Sequence, residues 1–304
     1  MKIYINREPK IGPWGGGIKT VNKLVDALKK RGYDVVFRLE DNIDVIFCID
    51  PRPNAHGEWY QHFINYKQKN STKIIQRVGD LGTHSKPELT SLVKQTLNYS
   101  NFFIFPSDWA KEYIGFEGKN HKVIYNCPMS VFHDAKIEDL TVSDKPKLVT
   151  HHWSMNPKKG FHLYEMLDEQ DDFEFTYVGR KPDNINFKNH IEPISASELA
   201  IELPKHDIYI TASIEEAGAN HVLEGLACGL PVVYHEEGGS INDYCKNYGL
   251  SYYSFPEMIS AIKKIVSQYK KYKQKVLTYE KTNDDVVEEY IKIIKGIKKC
   301  QLLK

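Results

Sequence analysis

Short apolar runs alternate with amphipathic segments along this chain, and the alternation occurs twice. In the first half the runs are "KIYIN", "DVVFRL", "DVIFCID", "KIIQRVG", "FFIFPS" and "KVIYN"; in the second they are "KLVTHHW", "FEFTYVG", "DIYITAS" and "PVVYHE". They are rich in β-branched and aromatic residues and alternate with helical patterns, which predicts βαβ units and parallel sheets covered on both faces. A polar stretch at 127–147, "CPMSVFHDAKIEDLTVSDKPK", breaks the rhythm and reads as a linker. With 304 residues, about twice the usual single-domain length, the chain is expected to form two doubly wound α/β domains, 1–130 and 145–280. Two further helices are expected around 256–276 and 283–300. The second has Val286, Val287, Tyr290, Ile293, Ile294 and Ile297 in amphipathic phase and is a candidate to pack back on the first domain.

The formal net charge of +1 gives no electrostatic case for a nucleic-acid partner. Five cysteines, Cys48, Cys127, Cys228, Cys245 and Cys300, are odd in number and widely spaced, with no zinc-type spacing, which suits a reducing compartment. The chain starts "MKIYINREPK" without the apolar core of a signal peptide, and no later stretch reaches the ~18 uninterrupted apolar residues of a membrane span. A soluble, cytoplasmic protein is the expectation. The lysine-rich "AIKKIVSQYKKYKQK" leaves peripheral contact with an anionic membrane as an alternative to a solvated helix.

In open α/β sheets, ligands collect where strand ends pass into helices. One such loop, "REPKIGPWGGGIKT", holds Gly15, Gly16 and Gly17, which let a backbone approach a ligand closely and present amides at a helix N-terminus. It matches neither GxGxxG nor a P-loop. Another is "TASIEEAGANHVLEGLACGLPVVYHEEGGS", in which Glu216 stands before a helix expected over roughly 218–228 and Glu224 lies inside it. Val222, Leu223, Leu226 and Ala227 form the apolar arc of that helix and Glu224 falls off it, so both carboxylates can look into one crevice.

The spacing of Glu216 and Glu224, followed by "EGLACGLPVV" and "GGSINDY", resembles the signature of retaining GT-B glycosyltransferases, especially glycosyltransferase family 4. The glycine loop, "FPSDWAKEYIGF", "KVIYNCPMSVF", "PKKGF" and "FTYVGR" occur in the order of that family's counterparts, so the resemblance spans almost the whole chain. It implies two Rossmann-like domains facing across a cleft, the first on the acceptor side and the second holding the nucleotide sugar. It further implies metal-independent, retaining transfer of a hexosyl unit from a UDP- or GDP-hexose to a glycan or lipid-linked acceptor, in surface polysaccharide or glycoconjugate synthesis and with no cofactor. By the same resemblance Glu224 accepts hydrogen bonds from the ribose hydroxyls, Glu216 faces the donor sugar, and the amides of Ala219, Asn220 and His221 meet the sugar or diphosphate.

Relatives commonly place an arginine and then a lysine in the loop after the first strand of the second domain. Here "THHWSMNPKKGF" supplies Lys159 before Gly160 but no arginine, so Arg180 in "YVGRKP" and His152 become the candidates for the remaining phosphate donors. On the acceptor side, "RVGDLGTHSKPE" offers Asp80 and His84 as an orienting group or base. The neighbours His151 and His152 point to opposite faces if they lie on a strand, which argues against a shared metal. The competing reading is a non-catalytic or differently specialised GT-B protein, an epimerase-like enzyme or a sugar-nucleotide-binding scaffold.

Overall fold

The computed structural model describes residues 1–10 and 16–299. In chain order the first half holds β1 (Lys2–Ile5), α1 (Gly16–Lys30), β2 (Asp34–Val36), β3 (Val45–Cys48), α2 (Tyr60–Lys69), β4 (Lys73–Arg77), α3 (Pro87–Thr96), β5 (Phe102–Phe105), α4 (Asp108–Tyr113) and β6 (His121–Val123). The second half follows with α5 (Ser130–Asp134), β7 (Lys147–His152), α6 (Phe161–Asp168), β8 (Glu174–Gly179), β9 (Asn189–Ile191), α7 (Ala196–Glu202), β10 (Ile208–Thr211), α8 (Asn220–Ala227), β11 (Val232–His235), α9 (Ser240–Cys245) and β12 (Gly249–Tyr252). Three helices close the chain: α10 (Phe255–Ser267), α11 (Tyr269–Leu277) and α12 (Asn283–Lys299). Two compact units result, one made of Met1–Asn126 together with α12, the other of Cys127–Thr282.

Each unit is built on a six-stranded sheet whose pairings are all parallel, in the orders β2-β1-β3-β4-β5-β6 and β12-β11-β10-β7-β8-β9. Parallel strands covered on both faces have no polar face to show, and β3, β10 and β11 are accordingly buried at every position. In the first unit Tyr4, Ile46 and Ile74 pack with Tyr60 and Phe63 of α2. The last helix belongs to that unit through specific contacts. Tyr290 accepts a hydrogen bond from the buried Arg77 Nε at 2.9 Å, Lys23 Nζ meets Asp284 at 2.6 Å, and Arg31 pairs with Glu288. In the second unit Leu148, Ile208, Ile210 and Val233 pack with Phe161, Tyr164 and Leu167 of α6 and with Met258, Ile262 and Ile265 of α10.

Three details differ from the sequence reading. The stretch at 127–147 is an ordered part of the second unit: it contains α5, Lys136 Nζ donates to the Tyr279 carbonyl at 2.8 Å, and Asp207 accepts from the Lys147 N–H at 2.7 Å. Its polar residues serve these bonds, which composition alone reads as solvation. The single helix expected at 256–276 is two, broken at Gln268 (φ −124°), whose N–H turns back to the Ile265 carbonyl at 3.1 Å. The helix expected over 218–228 is the shorter α8. No helix among the described residues is long and apolar enough to cross a membrane, and Cys48, Cys127, Cys228 and Cys245 are free thiols. Cys300 lies outside the described residues.

Candidate active site

Renumbered from β7, the second sheet has the strand order 6-5-4-1-2-3, so its direction of winding reverses between β7 and β10. A ligand crevice opens outside the carboxyl ends of two such strands, because their following helices leave on opposite faces. The residues there are His151 and His152 at the end of β7 and Thr211 at the end of β10.

Side chains along a strand alternate between faces, and the two histidines divide accordingly. His152 Nε2 meets the Tyr164 hydroxyl of α6 at 2.8 Å, whereas His151 Nε2 meets Glu224 Oε2 of α8 at 2.8 Å. Burial pushes the Tyr164 hydroxyl up to about 12, so it stays protonated; it also accepts from the Ala212 N–H at 2.8 Å. His221, in the first turn of α8, lies edge-on to His152 with ring centroids 4.7 Å apart and shares a 3.0 Å hydrogen bond with Thr211. Among the described residues no group of three or more His, Cys, Asp and Glu side chains is arranged to hold a metal ion.

The loop after β7 is fixed locally. Asn156 caps a single 3-10 turn, Pro157–Lys159, by accepting from the Lys158 N–H at 3.0 Å. Gly160 then adopts φ 77°, and a Cβ there would lie 2.5 Å from the Ala212 carbonyl oxygen, so only glycine lets this loop seat against the end of β10. The consequence is that Lys159, 8% exposed, forms an ion pair with Glu216, while Lys158 pairs with Glu215.

Glu216 is held by its backbone as much as by its side chain. Glu215 takes the left-handed conformation (φ 53°), which costs a non-glycine residue about 1–3 kcal/mol. Its N–H donates to the Glu237 carbonyl at 2.8 Å, and the Ser240 N–H donates to the Glu216 carbonyl at 2.8 Å. These bonds lock the turn that aims Glu216. Behind it, the Ala219 N–H is already given to Ser240 Oγ at 2.9 Å, so Ala219 is a pinned cap of α8, and Asn220 and His221 follow it in the first turn. Ser213, at the end of β10, is fully buried and its hydroxyl has no hydrogen-bond partner among the described residues.

Glu224, in the second turn of α8, is 5% exposed. The helix lies close on β10 because residue 225 is glycine: a Cβ there would stand 2.6 Å from the Tyr209 ring. Tyr209 in turn shares a 3.0 Å hydrogen bond with His151 Nδ1. Arg180, just past β8, is exposed; its N–H donates to the His152 carbonyl at 3.0 Å and its side chain makes no ion pair among the described residues.

The structure therefore gathers His152, Lys159, Glu216, Ala219, Asn220, His221 and Glu224 at one end of the second sheet, with Arg180 on the adjoining strand end. The remaining candidates belong to the first unit. Gly16 opens α1 and Gly17 follows it, with nothing within 4 Å of a Cβ built on Gly17; Gly15 lies outside the described residues. Asp80 uses both oxygens, Oδ1 for the Gly82 N–H at 2.9 Å and Oδ2 for Lys86 at 2.9 Å, the arrangement of a carboxylate that organises its loop. His84 is half-buried in the same loop. Nearby, burial pushes Asp50 up, but its hydrogen bond to Arg52 and the charge of Arg7 outweigh this and hold it below the usual carboxylate range. His151, which bonds Glu224, and Tyr209, which bonds His151, are not among the candidates drawn from the sequence. Alternation along β7 separates His151 from His152, but that His151 and Tyr209 face α8 while His152 faces α6 follows from the strand order.

No family model matches the chain, and no curated protein does. Solved structures do. A sucrose-phosphate synthase from Thermosynechococcus elongatus superposes with a TM-score of 0.68 at 13% identity, covering 99% of each chain. WaaG, a glycosyltransferase involved in lipopolysaccharide biosynthesis, gives 0.63 at 12% identity over 97% of this chain and 100% of its own. HepE from Anabaena, solved with UDP and glucose, gives 0.65 at 12% identity with both chains fully covered. At such identities the likeness is one of fold: α/β, with two Rossmann-like domains, as in GT-B glycosyltransferases.

Proposed function

We propose that the protein is a retaining glycosyltransferase of the family-4 type, moving a hexosyl unit from a UDP- or GDP-hexose to a glycan or lipid-linked acceptor in surface polysaccharide or glycoconjugate synthesis. The observation that carries this reading is the placement of Glu216 and Glu224 at the β7/β10 switch point, one on each side of the α8 N-terminus, with Lys159 against Glu216. A nucleoside diphosphate needs a hydroxyl acceptor at its ribose and cations with amides at its phosphates; a transferred sugar needs a carboxylate near its anomeric carbon. The glycosidic carbon–oxygen bond to the diphosphate breaks, a new one forms to the acceptor hydroxyl on the same face, and the acceptor proton leaves with the departing phosphate oxygen.

In this mechanism Glu224 accepts from the ribose hydroxyls. Lys159, with Arg180, His152 and the amides of Asn220 and His221, neutralises the leaving diphosphate. Glu216 binds sugar hydroxyls and stabilises the oxocarbenium-like charge. The first unit supplies the acceptor side, where Gly15–Gly17 and the loop of Asp80 and His84 contribute. The transfer uses no cofactor and no resident metal, and takes place in the cytoplasm or at the membrane surface. HepE's complex with UDP and glucose supports this choice of donor class. A thermal-shift screen tests it. UDP, GDP and their hexose conjugates should raise the melting temperature, since a ligand binding only the native state stabilises by RT ln(1 + [L]/Kd), and Glu224→Ala should reduce the rise at equal ligand concentration. A chain indifferent to every nucleotide would reject the reading.

A further inference from the structure

Tyr209 and His151 have no part in the mechanism above, yet they are among the most buried polar side chains of the second unit, at 0% and 1% exposure. Polar groups this deep are kept only when satisfied, and these two satisfy each other in a fixed order. The pairing of β10 with β7 extends only as far as Tyr209↔Val149, so the His151 N–H has gone past the end of the ladder. The Tyr209 hydroxyl meets it, accepting at 3.2 Å, and is also 3.0 Å from His151 Nδ1. Burial holds the Tyr209 hydroxyl well above its ordinary value, so the phenol keeps its proton. Having accepted from the backbone, it donates that proton to Nδ1. The ring hydrogen is then on Nε2, which donates to Glu224 Oε2 at 2.8 Å. Gly225, whose missing side chain admits the Tyr209 ring, keeps α8 close enough for this last bond.

We infer that Tyr209 and His151 are positioning residues for ribose recognition: the relay from Tyr209 through His151 fixes the rotamer of the Glu224 carboxylate and thereby sets the preference for ribonucleotide over deoxyribonucleotide donors. The inference rests on the proposed role of Glu224 toward the ribose. An ionised carboxylate offers about four acceptor lone-pair sites, so one imidazole donor fixes its orientation and leaves capacity for two vicinal hydroxyls. A carboxylate at the end of a rotatable side chain, without that donor, meets the same hydroxyls only by giving up rotamer freedom at the moment of binding.

The test compares Kd values for UDP and 2′-deoxy-UDP, and for GDP and 2′-deoxy-GDP, by calorimetry. For the nucleotide it prefers, the wild type is expected to favour the ribo form by about tenfold or more, the value of one charge-assisted hydrogen bond. Tyr209→Phe should reduce that ratio below about threefold while leaving the deoxy form within about twofold of wild type. His151→Leu, read the same way, serves where Tyr209→Phe folds poorly. A merely structural role would weaken both forms equally, and that result, or an unchanged ratio, overturns the inference. Glu224→Gln separates the two layers. If it collapses the ratio while Tyr209→Phe and His151→Leu do not, only the relay falls; if it too leaves the ratio intact, the ribose role of Glu224 falls with it. On the wild-type protein, nitrogen NMR should show His151 protonated at Nε2 and bare at Nδ1, and the opposite tautomer also overturns the relay.

Discussion

Lys159, the cation assigned to the departing diphosphate, is ion-paired with Glu216, the acid assigned to the donor sugar, and both side chains are largely buried at 10% and 13% exposure. In the unliganded chain each neutralises the other. A diphosphate arriving at Lys159 therefore competes with Glu216.

That competition gives Glu216→Gln a signature distinct from loss of a ligand contact. Turnover should fall by about 10²-fold or more, the scale of removing one group that stabilises transition-state charge. Free UDP or GDP should bind as tightly as to wild type or up to about tenfold tighter, because Lys159 is released. Lys159→Ala should weaken a nucleoside diphosphate far more than the matching nucleoside, and calorimetry on the two variants checks both statements. A Glu216→Gln variant that lost nucleotide affinity would move Glu216 to the nucleotide.

Glu224→Ala carries two costs. It should weaken free nucleoside diphosphate by ~1–3 kcal/mol, and it should also lower folding stability by ~1–3 kcal/mol, because the buried His151 Nε2 donor loses its acceptor. Glu224→Gln keeps an acceptor for His151 and should retain most of the stability. Urea denaturation of the pair measures the difference.

Gly225→Ala should destabilise the second unit by about 1–3 kcal/mol, the cost of overpacking, although alanine is the better helix former. Its Cβ would stand 2.6 Å from the Tyr209 ring, which has the β-sheet behind it and cannot retreat. A melting temperature equal to wild type would show that α8 does not lie as close on β10 as described.

Acid should destabilise the protein in a definite window. Burial lowers His206 below its ordinary value near 6.5, with Glu202 and Glu174 offsetting part of the effect, and burial likewise lowers His235 and His133. As pH falls below about 6.5, the unfolded chain takes up protons at these positions that the folded chain resists, so stability drops until the folded-state values are reached. Above that window these histidines contribute no pH dependence. Urea midpoints between pH 7.5 and 5.5 should decline, and His206→Gln should flatten the decline; equal slopes would remove His206 from the account.

The legible part of this molecule was the part written in apolar runs. Nine of its strands lie within such runs in the sequence and β6 overlaps one, whereas β9 (Asn189–Ile191) and β12 (Gly249–Tyr252) are short sheet-edge strands with too few apolar residues to stand out. At the candidate site, Glu216 and Glu224 stand out in the sequence by their spacing, and Lys159 by its resemblance to the family's lysine before a glycine. His151 and Tyr209 do not, because their roles depend on which helix covers which face of the sheet, and that follows from strand order rather than from any local pattern. Gly225 reads as an ordinary weak point of a helix until Tyr209 is seen beneath it. Glu215 gives no sequence sign of its left-handed backbone, since glutamate is not a residue that favours it.

The central claim is that this chain breaks and remakes a glycosidic bond with retention. Incubation with UDP- and GDP-α-hexoses, with water as the default acceptor, followed by proton NMR of the anomeric signals, reads this directly. The expected result is slow release of nucleoside diphosphate with the α-anomer of the free hexose appearing first, and loss of that release in Glu216→Gln. A β-anomer appearing first would contradict retention, and intact donor throughout, from a folded protein that binds it, would contradict transfer itself.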